Sequence, residues 1–266
     1  MGIDGSPKSL PLGWPWRWSP SRLHRTGFWI AFSLIIVLLY GGVRVHEKRA
    51  WARIPAGRYA LGQRELMTTH ERQWVEVEAF RMQRTEVTVG QFVRFLNQVR
   101  PEVEFVSPQI EFERGRYRAR VDRRQPVAYV DFEQARAYAA WLDGRRRRRV
   151  RLPTADEWEV AARGTTPGIP YPWGWADPEG RAVFAMDATQ EVAQFAPNGF
   201  GLYDLAGNVA EWVDPADAEM AMADAAFAMG GSWAERDPAW LWIARRPTFP
   251  RTYRDADVGF RLVKEH

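Results

Sequence analysis

The sequence predicts an α+β fold that is rich in irregular loop. Three segments open with helix-capping residues, short segments alternate apolar and polar side chains as strands do, and proline and glycine punctuate the second half. A length of 266 residues leaves room for one substantial domain and an appendage. We find no internal repeat and no second domain in the sequence.

Composition and charge exclude several classes of function. The chain has no cysteine, so it can hold no disulfide, no thiolate metal site and no cysteine nucleophile. Residues 1–50 hold seven of the 37 basic and two of the 33 acidic residues, a net charge of +5, and the remaining 30 basic and 31 acidic residues nearly cancel. Because the basic surplus lies in the N-terminal segment, we expect no nucleic-acid partner.

An uncharged run of eighteen residues covers positions 26–43. At about 1.5 Å per residue, such a helix can cross most of the hydrocarbon layer of a bilayer. We predict an uncleaved transmembrane anchor over 26–45, a short tail over 1–25 and one domain over 51–266. A buried core helix and a cleaved signal peptide are the alternatives. Basic residues flank the run almost equally, so the positive-inside rule barely decides its orientation.

Three helices are predicted by their first residues, because Thr or Asp is followed three positions later by Gln or Glu in each. They cover roughly 88–97, 131–144 and 154–163, and the second is expected to stop at Gly144. Five consecutive arginines follow it at 145–149. We interpret them as a solvated connection, with an anionic partner such as lipid headgroups as the alternative.

Strands are predicted by alternation and by turn residues. Residues 51–62 indicate strand, turn and strand around Pro-Ala-Gly, and residues 73–84 alternate as one half-buried strand does. Residues 229–233 and 258–263 are predicted to be short strands near the end.

Residues 198–212, NGFGLYDLAGNVAEW, have neither a helical nor a strand period. The glycines permit positive φ angles, so the large apolar side chains can turn inward while the backbone loops. We therefore predict an ordered loop pinned by a buried core. Asp204 and Glu211 would lie close to that core and would need a cation, an arginine or backbone N–H groups as partners.

Seven runs together resemble the formylglycine-generating enzyme or sulfatase-modifying-factor family. In order along the chain they are 86–88, 126–127, 151–158 with 161–164, 171–174, 198–212, 230–233 and 259–261. Each run is weak alone, but seven in the family's order over 51–264 are specific. The resemblance implies a variant of the C-type lectin fold, with a small twisted antiparallel sheet, two or three helices and much loop.

Enzymes of that family oxidise a cysteine of a target sulfatase to formylglycine, with copper held by two cysteines shortly after the Gly-Gly-Ser-aromatic run. Here Glu235 and Trp240 fall near those cysteine positions. Copper(I) needs soft ligands, which a carboxylate and an indole do not supply, so we expect no copper. A related branch uses iron with histidine ligands, but the four histidines here lie outside or at the margins of the domain.

The resemblance also implies a calcium site in the loop over 198–212. The matching groups are hard oxygen donors, namely the carboxylates of Asp204 and Glu211 and the carbonyls of Gly207 and Val209. The alternative is that the two carboxylates pair with arginines such as Arg151 or Arg261.

The leading functional expectation is a non-catalytic, membrane-anchored binding or scaffold subunit of a complex in the bacterial cell envelope. The anchor would cross the inner membrane once, and the domain would be periplasmic and bind a protein or a glycan. The candidate contact surface lies within 235–254 and holds residue types enriched in binding hot spots. It consists of Glu235, Arg236, Trp240, Trp242, Arg245, Arg246, Arg251 and Tyr253. For the two tryptophans, the alternative is a place in the core.

Two other functions stay open at this point. One is a periplasmic maturation enzyme of altered, copper-independent chemistry, for which the sequence offers no Ser-His-Asp arrangement and no phosphate-cradling glycine loop. The other is a ligand-display protein with a variable C-terminal loop segment.

Overall fold

The structure is a computed structural model that describes residues 50–62, 73–146, 149–215 and 224–265. In these residues it has three α-helices, α1 Val89–Val99, α2 Phe132–Arg146 and α3 Ala155–Arg163, and a short 3-10 helix over Pro238–Leu241. The strands are β1 Trp51–Ile54, β2 Gly57–Leu61, β3 Gln73–Val77, β4 Phe80–Gln83, β5 Ile110–Glu113, β6 Arg116–Ala119, β7 Val150–Arg151, β8 Ala210–Val213, β9 Ala225–Met229, β10 Thr248–Pro250, β11 Val258–Gly259 and β12 Val263–Glu265. The predicted α+β class is confirmed.

Two four-stranded sheets carry the fold. The first has the order β1–β4–β12–β7 and is antiparallel throughout, with Val263 of β12 opposite Met82 on one side and Arg151 on the other. The second has the order β10–β9–β8–β11, and its β8–β11 pair is parallel, with Glu211 next to Gly259. Two hairpins, β2–β3 and β5–β6, complete the pairing in the described residues.

All three helices begin where the capping residues predict. Thr88 forms a capping box with Gln91, and Thr154 forms one with Glu157. At α2, the Asp131 carboxylate accepts a hydrogen bond from the amide of the third helical residue at 2.8 Å. Each cap satisfies amide groups that a helix start leaves without partners, which explains why the start of each helix could be predicted.

Large apolar side chains fill two main cores, and a smaller third cluster is formed by Tyr171, Ala182, Ala206 and Leu241. One lies between α1 and α2 and contains a ring cluster in which Phe92 contacts Phe95, Phe105, Tyr138 and Phe260. The other packs α3 against the first sheet and includes Trp158, Met82 and Leu202 among its fully buried side chains. The second core places α3 beside the loop over 198–212.

Several predicted boundaries are wrong. Helix α2 continues through Gly144 to Arg146, because a glycine lowers helix stability without stopping the backbone ladder. Residues 73–84 form two strands, which pair with different partners. Residues 230–233 lie beyond the end of β9, and residues 260–262 separate β11 from β12.

The predicted tail over 1–25 and the anchor over 26–45 lie outside the described residues, as do positions 147 and 148 of the arginine run. Within the part that the structure describes, no helix has the length and apolar character needed to cross a bilayer.

Candidate functional site

A buried ion pair organises the region around the loop over 198–212. Arg261 donates from Nε to Glu211 Oε2 and from Nη2 to Glu211 Oε1, both at 2.7 Å, and the two side chains are 0% and 1% exposed. The indole Nε1 of Trp158 donates to the same Glu211 Oε2 at 2.8 Å. Further donations from the guanidinium reach the carbonyls of Gln83, Arg84, Tyr203 and Asp204 at 2.8–3.3 Å. This guanidinium therefore joins β4, the loop and β8.

The loop is ordered, as predicted, by side chains that satisfy its own backbone. Asn198 donates to the carbonyls of Ala161 and Ala162 in α3 at 2.7 and 3.1 Å. Its Oδ1 accepts from the amides of Phe200 and Leu202, both at 3.1 Å. A single amide side chain thus anchors the start of the loop to the end of a helix.

Two more carboxyl groups lie beside this pair. Glu86 is fully buried, and in the described residues neither of its carboxyl oxygens has a well-formed hydrogen bond, but its carboxyl lies close enough to Asp204 to lower the pKa of Asp204 as a donor. Burial raises the pKa of Glu86 well above its ordinary value, and the carboxyls of Asp204 and Glu211 raise it further against the lowering effect of Arg261. Burial also raises the pKa of Asp204, whose Oδ2 accepts from the Ala193 amide at 2.6 Å. One arginine thus faces three buried carboxyls.

The four predicted calcium donors do not form a fitting set. Both oxygens of Glu211 already accept from Arg261, and a cation there would meet a guanidinium at hydrogen-bond distance. The backbone of this loop is left-handed at three positions, with φ angles of 54° at Asp204, 82° at Gly207 and 61° at Asn208. Among the described residues, no group of three or more acidic or histidine side chains could hold a metal ion. The geometry favours the arginine alternative for Glu211.

The predicted contact surface separates into a surface part and a structural part. In the surface part, the guanidinium of Arg245 lies 3.6 Å from the ring centre of half-buried Trp240. Trp242 donates from its indole to the hydroxyl of Tyr171 at 3.2 Å, and Tyr171 stacks on Trp173 at 5.2 Å with a 9° interplanar angle. These five residues, three tryptophans, one tyrosine and one arginine, form what we call the aromatic shelf. Tyr171 in it is buried, and the half-buried tryptophans pack against Tyr171 and Leu241, so Trp240 and Trp242 belong in part to the core, the alternative stated for them above.

A half-buried acidic pair adjoins the same segment. Burial raises the pKa of Glu235, Asp257 raises it further, and Arg245 lowers it in part. Burial likewise raises the pKa of Asp257, while the hydroxyl of Tyr253 donates to its Oδ1 at 3.0 Å. The pKa of Tyr253 is raised in turn by burial and by the charge of Asp257. Tyr129 has a left-handed φ of 59°, and its amide donates to the backbone carbonyl of Asp255 at 2.8 Å.

Three arginines of the predicted surface have other roles. Arg246 is not available to a partner, because its side chain is 7% exposed and donates to Asp156 at 2.7 Å and Glu159 at 2.9 Å. Arg251 packs over the ring of Phe132 at 4.9 Å. Arg236 is 67% exposed and donates to the carbonyl of Ala185 at 2.8 Å. The prediction for Arg246 is therefore wrong.

The two positions near the family's copper cysteines offer no copper ligand set. Glu235 supplies a hard carboxylate beside another carboxylate, and Trp240 supplies an indole covered by Arg245. Neither is a soft donor, and the chain contains no thiol. We therefore derive no copper-dependent step for this chain.

Sequence reasoning missed Asp257, Tyr171 and Trp173 as parts of the site. Tyr171 and Trp173 belong to the Tyr-Pro-Trp-Gly run that we used only as a fold signature, and Asp257 lies two residues before the Gly-Phe-Arg run. A carboxylate directly before a motif strand was the available signal. Its partner Tyr253 could be named from residue type alone. The hydrogen bond between Tyr253 and Asp257, however, depends on the path of the loop that carries both residues.

A family model for the sulfatase-modifying factor enzyme 1-like domain matches residues 42–266. Among curated proteins, inactive C-alpha-formylglycine-generating enzyme 2 of Bos taurus is 40% identical over 124 residues, which cover 41% of this chain and 39% of that protein. Serine/threonine-protein kinase pkn1 of Chlamydia pneumoniae is 34% identical over 160 residues, covering 57% and 24%. Formylglycine-generating enzyme of Thermomonospora curvata is 44% identical over 103 residues, covering 33% and 32%. The chain spans between about a quarter and two fifths of the length of these relatives.

Solved structures agree with the family match. PvdO from Pseudomonas aeruginosa superposes with a TM-score of 0.66 at 26% identity, covering 81% of this chain and 94% of that one. Treponema denticola variable protein 1 shares the fold with a TM-score of 0.66 at 22% identity, covering 81% and 95%. The family model, the order of the seven runs and the shared fold all point the same way: this chain belongs to the sulfatase-modifying factor enzyme 1-like family.

Proposed function

We propose that this protein is a non-catalytic member of its family that binds a polypeptide partner through the aromatic shelf and the acidic pair beside it. The observation that carries the proposal is the stacking of Arg245 on Trp240 next to half-buried Glu235, in the segment where the family resemblance places the copper cysteines. Glu235 stands half-buried beside Asp257, and Trp240 stands under Arg245. A site that has lost its metal donors but keeps aromatic, arginine and carboxylate groups suits recognition of a partner surface.

The charges and rings favour a protein over a glycan. Arg245 and the two carboxylates offer charge-assisted hydrogen bonds to both signs of side chain on a partner. Exposed Trp175 and half-buried Trp173 add flat apolar area at low conformational-entropy cost, and Trp173 is held in place by stacking on buried Tyr171. A glycan partner would use the same rings and stays an outcome of the test.

The proposed setting is the bacterial cell envelope, with the domain in the periplasm and the anchor over 26–45 in the inner membrane. The uncharged run supports the anchor, and the periplasmic side of the domain is part of the proposal. In that setting the protein acts as a binding or scaffold subunit of an envelope complex.

The test is affinity purification of the full chain extracted from membranes, with mass spectrometry of the proteins that co-purify. Alanine at both Trp240 and Arg245 should remove a stoichiometric partner. Arg245→Glu alone, which keeps the packing of Trp240 against the cluster of Tyr171 and Leu241, should do so while the melting temperature stays close to that of the parent chain. Arg53→Ala with Arg114→Ala provides a matched control, since both arginines are exposed and lie in other segments. Retention of the same partner by the W240A/R245A variant would overturn the proposal. A chain that co-purifies alone would also count against a protein partner and would direct work to glycan arrays.

A second candidate is a maturation enzyme of copper-independent chemistry, and one observation favours it. Glu235 and Asp257 both have raised pKa values, which is a feature of carboxyl groups used as general acids. If Glu235 and Asp257 act as general acids, conversion of an envelope substrate should be abolished by Glu235→Gln and by Asp257→Asn. Turnover that survives both substitutions would remove this candidate.

A third candidate is ligand display by a variable loop. Comparison of sibling isolates tests it, because display requires substitutions to cluster within 235–254. An even spread of substitutions along the domain would exclude it.

A further inference from the structure

A groove with a strongly basic lining runs between helix α1 and strand β6. Its volume is about 660 Å³, within the range typical of small-molecule sites. The lining contains four arginines, Arg94 from the helix, Arg116 and Arg118 from the strand, and Arg123 from the following loop. We call this feature the basic groove. It shares no residue with the aromatic shelf or the acidic pair.

The charge of the basic groove is not neutralised by its own walls. Among the residues that the structure describes, no aspartate or glutamate lines it. Arg118 has one exposed ion pair, with Glu113 at 3.3 Å. In the described part of the chain, the other three arginines have no ion pair.

Other arginines close to the groove in the sequence do form ion pairs. Arg114, Arg120 and Arg124 each lie within 4 Å of a carboxylate, at 3.5, 3.8 and 3.1 Å. Exposed arginines without an ion pair also occur elsewhere in the described residues, at Arg53 and Arg181 for example, but the groove brings three of them together in one concave surface. Clustered cations in a concave surface reinforce each other's field and attract anions.

The walls of the groove are fixed by specific contacts. Asn97 donates to the carbonyl of Tyr117 and accepts from its amide, both at 2.9 Å, which holds β6 against α1. The amide of Gly90 donates to the carbonyl of Arg123 at 2.9 Å, and a Cβ at Gly90 would approach that oxygen to 3.0 Å. The arginine-bearing loop therefore needs a glycine in the first turn of α1 to come this close.

The floor between the arginines is apolar, with Val93 and Val121 among its residues. A guanidinium offers a planar fork of donors that matches two oxygens of one phosphate group. Four such forks around an apolar floor suit a molecule with several phosphates and an organic body. An inorganic monovalent anion would leave most of the donors unused.

We propose that the basic groove is a binding site for a ligand that carries two or more phosphate groups. A soluble polyphosphorylated molecule and a phospholipid headgroup share this chemistry. The site is independent of the proposed partner surface, so either proposal can fail without the other.

The test uses inorganic tripolyphosphate as the probe and the purified full chain in nonionic detergent. Isothermal titration calorimetry should detect binding by the parent chain that weakens as salt is added. Arg94→Glu with Arg116→Glu should lower the affinity by about tenfold or more, because two charge-assisted contacts become repulsive. Arg53→Glu with Arg181→Glu makes the same change in net charge on exposed residues elsewhere and should leave the affinity within about twofold.

Melting temperatures of both double variants show whether each is folded, and Arg94→Gln with Arg116→Gln serves as a milder pair if the glutamates destabilise the hairpin. Absence of tripolyphosphate binding by the parent chain, or equal loss in both pairs, overturns the proposal. Competition by lipid in detergent micelles distinguishes the two sources of ligand. Displacement of the probe by micelles that contain cardiolipin, whose headgroup has two phosphates, and not by micelles that contain phosphatidylcholine, identifies a headgroup, whereas no displacement identifies a soluble ligand.

Discussion

Arg261 and Glu211 meet in the interior as a bidentate pair, with two nitrogen–oxygen distances of 2.7 Å and almost no solvent exposure. Gly259 of β11 pairs with Glu211 of β8, so the parallel register of the second sheet brings the arginine close to its partner two residues later. The positive charge of the same guanidinium also lowers the pKa of Glu86 and the pKa of Asp204. Removal of this arginine would leave three carboxyls without a compensating charge.

Arg261→Met should therefore destabilise the domain by about 3–5 kcal/mol, the range for breaking a buried pair on one side. We expect the melting temperature to fall by about 10 °C in differential scanning fluorimetry. The double variant R261M/E211L should recover part of the loss, because one unpaired buried charge is removed. A melting temperature for R261M equal to that of the parent chain would show that the pair does not hold this region together.

Because the pKa of the buried Glu86 carboxyl is raised, we expect the stability of the domain to depend on pH. The folded-state pKa of Glu86 is raised well above the ordinary value of 4.5, so the folded protein binds a proton that the unfolded chain releases. The stabilising contribution is fully present below about pH 4.5 and is lost as pH rises toward the folded-state pKa. Glu86→Gln removes this titration, so its melting temperature relative to the parent chain should rise steadily across that interval.

Any packing cost of the amide in Glu86→Gln is the same at every pH. The informative quantity is therefore the change with pH of the difference in melting temperature between E86Q and the parent chain. Glu78→Gln on an exposed residue should run parallel to the parent chain. A difference between E86Q and the parent chain that stays constant with pH would mean that Glu86 is not protonated in the folded state.

Arg246 is predicted to stabilise the fold rather than to bind a partner. It donates to Asp156 and to fully buried Glu159, which also accepts from Arg163 at 2.8 Å. Arg246→Ala should cost about 2–4 kcal/mol in free energy of unfolding, measured by urea titration. Arg236→Ala, ten positions earlier and exposed, should change stability by no more than about 0.5 kcal/mol. Equal stability of the two variants would return Arg246 to the contact surface.

Calcium binding at the loop over 198–212 can be tested directly. Because Glu211 is occupied by Arg261, we expect added calcium chloride to leave the melting temperature unchanged relative to protein in EDTA. Magnesium chloride controls for ionic strength. A rise specific to calcium that disappears in Asp204→Asn would establish the family's site here despite the geometry of Glu211.

The sequence predicted those parts of the fold that depend on local chemistry. Capping residues such as Thr88 and Thr154 act on amides within three positions, so the helix starts could be assigned without knowing any tertiary contact. Strand partners depend on residues far apart, as in the pairing of Val263 with Met82, and alternation alone does not supply them. The hairpin β5–β6 was not predicted at all.

The residues of the candidate site also divide into those that residue type identifies and those whose role depends on tertiary contacts. Trp240 and Arg245 could be named from residue type, and their stacking agrees with a common surface role. Arg246 has the same residue type and neighbours in sequence, yet it points to α3. Residue type cannot separate two adjacent arginines whose side chains leave the backbone in different directions. The pairing of Glu211 with Arg261 was open only as an alternative to calcium.

The central place of β12 in the first sheet has a consequence for synthesis of the chain. Strands β1 and β4 leave the ribosome early, but β4 pairs with β12, and β7 reaches the sheet only through β12. Residues 263–265 must emerge before the sheet can close, and Arg261 must emerge with them before the carboxyls near β4 are neutralised. A nascent domain is therefore exposed to chaperones and proteases until nearly its full length has been translated. Ribosome-bound chains stalled shortly before residue 263 should remain sensitive to protease, whereas chains extended past residue 265 by a linker should become resistant.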